Sequence, residues 1–154
     1  MRIGRALTAV GALLVVCLLI LGVAVYLGRD EGTIAVDNLL AEDITRAIAT
    51  AEERGADVDL GAIADFEWDE VVLAERDATR AQISRELGFA WKGDLQFRTG
   101  DLLIFLRDGE LARFADYRGD GRFAGVERPF ARVERDAAVL RVRALVIRLR
   151  TPPS

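Results

Sequence analysis

Residues 6–27, ALTAVGALLVVCLLILGVAVYL, form a run of 22 consecutive residues without a charge. A helix needs about 20 residues to cross the hydrocarbon core of a bilayer, so the run is long enough to span it. Arg2 and Arg5 precede the run, and Arg29, Asp30 and Glu31 follow it. Positive charge ahead of the first apolar segment favours keeping that end in the cytoplasm. The expected organisation is a cytoplasmic N-terminus over 1–5, a single-pass transmembrane signal anchor over 6–27, an extracytoplasmic domain over 28–150 and a frayed tail over 151–154. The membrane, through residues 6–27, is the first expected partner.

A cleaved signal peptide competes with this reading. Its apolar core normally covers about 7–15 residues and ends at a small-x-small site. Gly22-Val23-Ala24 supplies such a site, and cleavage near Ala24 gives a secreted domain. Cys17 follows Val16 and precedes ten further uncharged residues. That context argues against lipid attachment and for a small apolar residue inside a membrane helix.

Residues 29–154 number 126, enough for one compact domain and too few for two comfortable ones. They contain no cysteine, so an apolar core must hold the fold. The chain has no histidine, which removes the usual zinc sites, the Ser-His-Asp and Cys-His nucleophile systems, and a histidine pH switch. No cofactor and no metal is expected. Charge is uneven. Residues 29–77 hold 4 arginines against 15 acids, a net of −11, whereas residues 78–154 hold 15 basic residues against 10 acids, a net of +5. After Asp136 come Arg141, Arg143, Arg148 and Arg150 and no acid. The expectation is that these arginines face the acidic half or solvent, and do not form a lipid-binding surface. An extracytoplasmic, net-negative domain is not expected to bind nucleic acid.

The pattern along the domain is α+β, with two helices packed on an antiparallel β-sheet. Over 37–54, Leu40, Ile44, Ala47, Ile48 and Ala51 recur at helical spacing, with Asp37 as N-cap and Gly55 as C-cap. Residues 56–65 read as a loop or short turn. Residues 66–74, FEWDEVVLA, read as a strand. Residues 79–87 read as a second helix with Asp77 or Thr79 as cap and Gly88 as stop. From Phe89 to Arg98 apolar and polar residues alternate, which predicts one or two half-buried strands broken at Gly93. Leu102–Leu106 is apolar at both parities and should be an interior strand covered on both faces. Asp108-Gly109 signals a type I′ hairpin, with Glu110–Tyr117 returning antiparallel. Phe130–Arg135 and Ala138–Arg150 read as further strands. Arg141 and Arg143 share one parity and Arg148 and Arg150 the other, so a bulge or break falls between Ala144 and Ile147.

Three candidate sites arise. Glu67, Asp69 and Glu70 surround Trp68, and acid–base hydrolysis of a glycosidic bond needs two carboxylates facing one substrate. On a strand, Glu67 and Asp69 would share a face; such acids are more often the wet side of a strand beside a buried tryptophan. Asp116 and Asp120 bracket the glycine-rich DYRGDGRF, where calcium would find oxygen ligands. The EF-hand spacing is absent there and Arg118 and Arg122 intrude, so an ordinary turn is expected. Trp68 and Trp91 could line a binding site, but both lie on the apolar parity and are expected in the core. No catalytic, cofactor-binding or metal-ligating residue is assigned.

WDEVVLAERDATRAQISRELGFAW at 68–91, together with LLIFLRDGELARFADY at 102–117, resembles a set of small bacterial envelope proteins that are lipoproteins or signal-anchored. Trp68, Asp69, Val71, Leu87, Gly88, Phe105, Asp108 and Gly109 carry the match, and AERDA at 74–78 departs from it. The resemblance implies an envelope location and a small α+β fold and brings no activity and no catalytic residues. The short helix ending in Leu-Gly before an antiparallel meander is also similar in architecture to the small lipoprotein of the outer-membrane barrel-assembly machinery and to β-lactamase inhibitor proteins, both interaction modules. The expected function is a membrane-anchored, extracytoplasmic, non-catalytic module that binds a protein or another envelope component. The alternative is a carboxylate-dependent envelope hydrolase using Glu67, Asp69 and Glu70.

Overall fold

The computed structural model describes residues 35–95, 100–124 and 129–149. All of these belong to one packing unit spanning 34–154. The expected anchor at 6–27, Arg150 and the tail at 151–154 lie outside the described residues. Among the described residues no helix is long and apolar enough to cross a membrane.

The chain runs α1 (Asn38–Arg54), β1 (Asp57–Asp59), α2 (Leu60–Ile63), β2 (Glu70–Ala74), α3 (Arg80–Leu87), β3 (Leu102–Arg107), β4 (Glu110–Asp116), β5 (Arg122–Phe123), β6 (Phe130–Glu134), β7 (Val139–Arg143) and β8 (Val146–Leu149). The α+β class holds, but the expected single antiparallel sheet is corrected to two four-stranded sheets. Sheet I has the order β4-β3-β2-β6 and sheet II the order β1-β7-β8-β5. A 3-10 turn at Arg135–Ala137 makes the switch: Ala138 accepts the Leu60 amide, so the chain leaves β6 and pairs β7 with β1. Sheet II also contains a parallel pair, β5 with β8, fixed by the Arg122 and Ala124 amides donating to Leu145 and Ile147.

Sheet I is covered on both faces, as the apolar run at 102–106 requires. Leu103 and Phe105 of β3, with Val71 and Leu73 of β2, join a core made with α1, α2 and the inner face of sheet II. Leu102, Ile104 and Leu106, with Val72 and Ala74, join a second core under α3 and Trp91. Phe105 packs edge-on against Phe66 and Trp68, with ring centroids 5.4 and 5.0 Å away.

The helix boundaries follow local chemistry. Asp37 accepts the Leu40 amide at the start of α1, and Gly55 ends it at φ 64°. Thr79 and Gln82 form a reciprocal capping box on α3, and Gly88 closes it at φ 80°. The segment expected as a loop at 56–65 holds β1 and α2; Asp59 caps α2 by accepting the Gly61 amide at 2.8 Å. The strand expected over 66–74 begins only at Glu70, because the Phe66 and Trp68 carbonyls face the Arg135 guanidinium. The strand expected from Phe89 is absent over 89–95, and 96–98 lie outside the described residues. There the Trp91 amide donates to Ser84 Oγ and its carbonyl accepts from Arg80, so α3 side chains occupy the groups a ladder would use.

Among the described residues two turns have left-handed residues at both central positions. Asp108-Gly109 is the expected one, with φ 53° and 77°. The other is Ala144-Leu145, with φ 51° and 63°, at the break expected within 138–150. Neither of its residues is glycine, and the turn is held from outside: the Leu145 amide donates to Glu52 at 2.8 Å and its carbonyl accepts from Arg122 at 2.9 Å.

Two stability measurements test this account. Phe105→Ala removes a fully buried ring from the junction of β3 with Trp68 and should cost about 3–5 kcal/mol in chemical denaturation. Leu145→Gly relieves a left-handed non-glycine residue that is half-exposed and should raise stability by roughly 1 kcal/mol. A Leu145→Gly variant less stable than wild type would show that the leucine side chain outweighs its backbone strain.

Candidate functional site

The acids around Trp68 lie where the ends of β2, β3 and β6 meet. Trp68 is 4% exposed and its indole N–H donates to the Ala64 carbonyl at 3.3 Å. Arg135, at the end of β6, lies over the indole ring at 5.0 Å. Its guanidinium also donates to the carbonyls of Phe66, Trp68 and Gly61 at 3.3, 3.3 and 3.5 Å. One arginine thereby closes the loop that no ladder satisfies.

Three neighbouring carboxylates diverge. Glu67 pairs with Arg107 at the end of β3. Asp69 accepts the Asp108 amide at 2.7 Å and so fastens the β3–β4 turn. Glu70 pairs with Arg132 of β6 at 2.6 Å. Glu67 lines a depression beside Arg107 and Glu110. Asp69 and Glu70 line a separate open groove of ≈ 580 Å³ with Glu134, Arg135 and Asp136. The expected sharing of one strand face by Glu67 and Asp69 is therefore corrected. The strand starts after both, and consecutive residues 69 and 70 meet the groove instead. Each of the three carboxylates holds a donor belonging to another element, which is a tie between elements and not a facing acid–base pair.

The calcium reading of Asp116 and Asp120 gives way to packing around Tyr117. Asp116 is buried and accepts the Arg118 Nε at 3.0 Å through both oxygens. Arg118 extends to the side-chain oxygen of Asn38 at 2.6 Å, tying the end of β4 to the start of α1. The Asp116 carboxylate raises the Arg118 pKa. Gly119 and Gly121 lie against the Tyr117 ring and hydroxyl, where a Cβ would collide, and the Gly121 amide donates to that hydroxyl at 3.3 Å. Among the described residues no group of three potential metal ligands comes together.

Both tryptophans lie in the core. Trp91 stacks edge-on with Phe114 at 4.9 Å, and its indole N–H has no partner among the described residues. Of the C-terminal arginines, Arg141 and Arg143 reach Asp57 at 3.8 and 3.5 Å, Arg148 is exposed opposite Arg141, and Arg150 is outside the described residues. Exposed pairs of this kind are worth about 0–1 kcal/mol.

Sequence reading missed Arg107, Arg132 and Arg135 as the partners of this region. It also missed Asp101, whose carboxylate accepts the amides of Arg76 at 2.8 Å and Phe123 at 3.4 Å. For Arg135, an arginine closing the strand expected over 130–135 was the signal, and the structure ends that strand at Glu134.

Comparison with protein-family models, with curated proteins and with solved structures finds no match for the chain.

The Tyr117 environment gives a pH test. Burial raises its pKa, the Gly121 amide opposes that, and Glu52, Asp120 and Asp101 add to it. The fold therefore favours the neutral phenol. Above pH about 10 the unfolded chain releases this proton first, so stability present below that pH is lost as pH rises towards the folded value. Thermal melts of wild type and Tyr117→Phe should fall in parallel up to about pH 10, with a steeper further decline only in wild type. Equal slopes above that point would remove Tyr117 as the cause.

Proposed function

We propose that the chain is a membrane-anchored interaction module of a bacterial envelope, with its folded domain outside the cytoplasm and a protein or another envelope component as its partner. The observation that carries this reading is the 22-residue uncharged run at 6–27 preceded by Arg2 and Arg5. Its length fits a bilayer and its flanks fit the positive-inside rule. The resemblance of 68–91 and 102–117 to small envelope proteins agrees with this location. The three carboxylates most suited to acid–base chemistry each fasten a neighbouring element, which favours a binding module over a hydrolase. The second reading, a carboxylate-dependent hydrolase, draws on the groove that Asp69 and Glu70 share next to Trp68.

Protease added to spheroplasts should digest the domain while residues 1–27 stay in the membrane fraction. Digestion only after lysis would reverse the orientation, and a domain found free in the medium would indicate cleavage near Ala24. Crosslinking in intact cells should capture the same partner with wild type and with a Glu67→Ala, Asp69→Ala, Glu70→Ala variant. A phenotype lost in that variant while the partner is still captured would favour the hydrolase.

A further inference from the structure

Among the described residues the two sheets have four edges, and they are not equivalent. In sheet II the edges are β1, three residues long, and β5, two residues long. In sheet I, β4 is interrupted by a register shift opposite Phe105/Leu106, and its Phe114 carbonyl accepts the Asp37 amide at 2.9 Å. Bulges and covering segments are the means by which edges are protected from pairing. The remaining edge is β6, five residues in unbroken register with β2.

The direction of the β6 backbone follows from its flanking bonds. Arg135 donates to the Asp69 carbonyl at 2.8 Å and Glu75 donates to the Pro129 carbonyl at 2.9 Å. Antiparallel pairs alternate between bonded and non-bonded. With Glu70 opposite Glu134, the inward bonds fall at 131 and 133. The amides and carbonyls of Phe130, Arg132 and Glu134 therefore point away from the sheet, and none has a backbone partner among the described residues.

We propose that β6 is a docking edge that takes an extended segment of a partner protein as a fifth strand of sheet I. The segment sets apolar side chains beside Ala131 and Val133, an uncharged polar residue beside Arg132 and a basic residue beside Glu134. This proposal rests on the reading of the domain as an interaction module. The side chains select the occupant. A second copy pairing along all of β6 places Arg132 opposite its own counterpart, and like charges directly opposite are destabilising. Arg132 is already satisfied by Glu70 at 2.6 Å and by the Glu86 carbonyl at 2.8 Å. Glu134 faces Glu70 across the ladder and makes no ion pair among the described residues, and Asp136 follows in the same groove. A cation on the added strand answers that charge. On the other face, Ala131 and Val133 are partly buried against the larger core, and apolar side chains on the new strand extend that surface. Main-chain bonds then supply affinity and alternate side chains supply selection.

Glu134 also provides the test. Its φ is −68° in extended backbone, the angle proline imposes, and its outward amide makes no backbone bond among the described residues. Glu134→Pro removes that donor and leaves the inward ladder intact; Glu134→Gln removes only the charge. The full chain in neutral detergent is titrated against a labelled peptide alternating valine and threonine with one arginine at the position beside Glu134, with the same peptide carrying glutamate in place of that arginine as control, and binding is read by anisotropy. The expected result is saturable binding of the arginine-bearing peptide alone, weakened at least severalfold by Glu134→Gln and lost in Glu134→Pro, while the melting temperature of each variant stays near that of wild type. No binding by wild type, or equal binding by both variants, overturns the docking edge, and so does a wild type that already forms dimers through β6. None of these outcomes affects the orientation found in spheroplasts or a partner captured in cells, so the interaction-module reading stands or falls separately.

Discussion

The fold depends on a strand that is buried on both sides. All five residues from Leu102 to Leu106 are at most 1% exposed, and successive side chains enter different cores. An antiparallel sheet with one wet face needs only alternate apolar residues, whereas a strand inside three layers needs an unbroken run. Once β3 is apolar at every position, α3 with Trp91 must cover one face, and α1 with sheet II must cover the other. The second sheet is a consequence of this demand. A single sheet carrying two helices on one face would leave half of β3 in water.

Charge finishes what burial starts. The ends of β2, β3 and β6 are irregular, and their unpaired backbone and loop groups are gathered by Arg135, Asp69 and the Glu70–Arg132 pair. Around the start of α1, Arg118 joins Asp116 to Asn38, and Arg113 reaches Asp37 at 3.0 Å. These contacts stabilise little individually where they are exposed. Their role is geometric, because each joins elements distant in sequence and limits how the covering layers can slide on sheet I.

This division explains what was legible in the sequence. Signals that depend on a few adjacent residues were readable: the Asp37 and Thr79 caps, the Gly55 and Gly88 stops, the Asp108-Gly109 turn, the doubly buried run at 102–106 and the break near Ala144. Signals that depend on a distant partner were not. β1 is three residues long and exists because β7 pairs with it. Glu67 to Glu70 reads as strand by composition, yet Arg135 claims the backbone before Asp69. Phe89 to Leu95 alternates like a strand, yet α3 takes the Trp91 amide and carbonyl. In the candidate site Glu67 and Glu70 were visible and their cationic partners, 40 and 62 residues away, were not.

The pairing of β1 with β7 joins Asp57 to Arg141 across 84 residues. Sheet II therefore cannot begin to assemble until nearly the whole chain has emerged, although α1 and the β3–β4 hairpin can form much earlier. Contacts so far apart in sequence close slowly, and surfaces waiting for them are open to aggregation in the meantime. Until β7 arrives, the apolar stripe of α1 lacks the cover that sheet II gives it. A chain interrupted before residue 139 would leave that stripe and Val58 exposed, which makes the last strands the step that commits the domain to its native state.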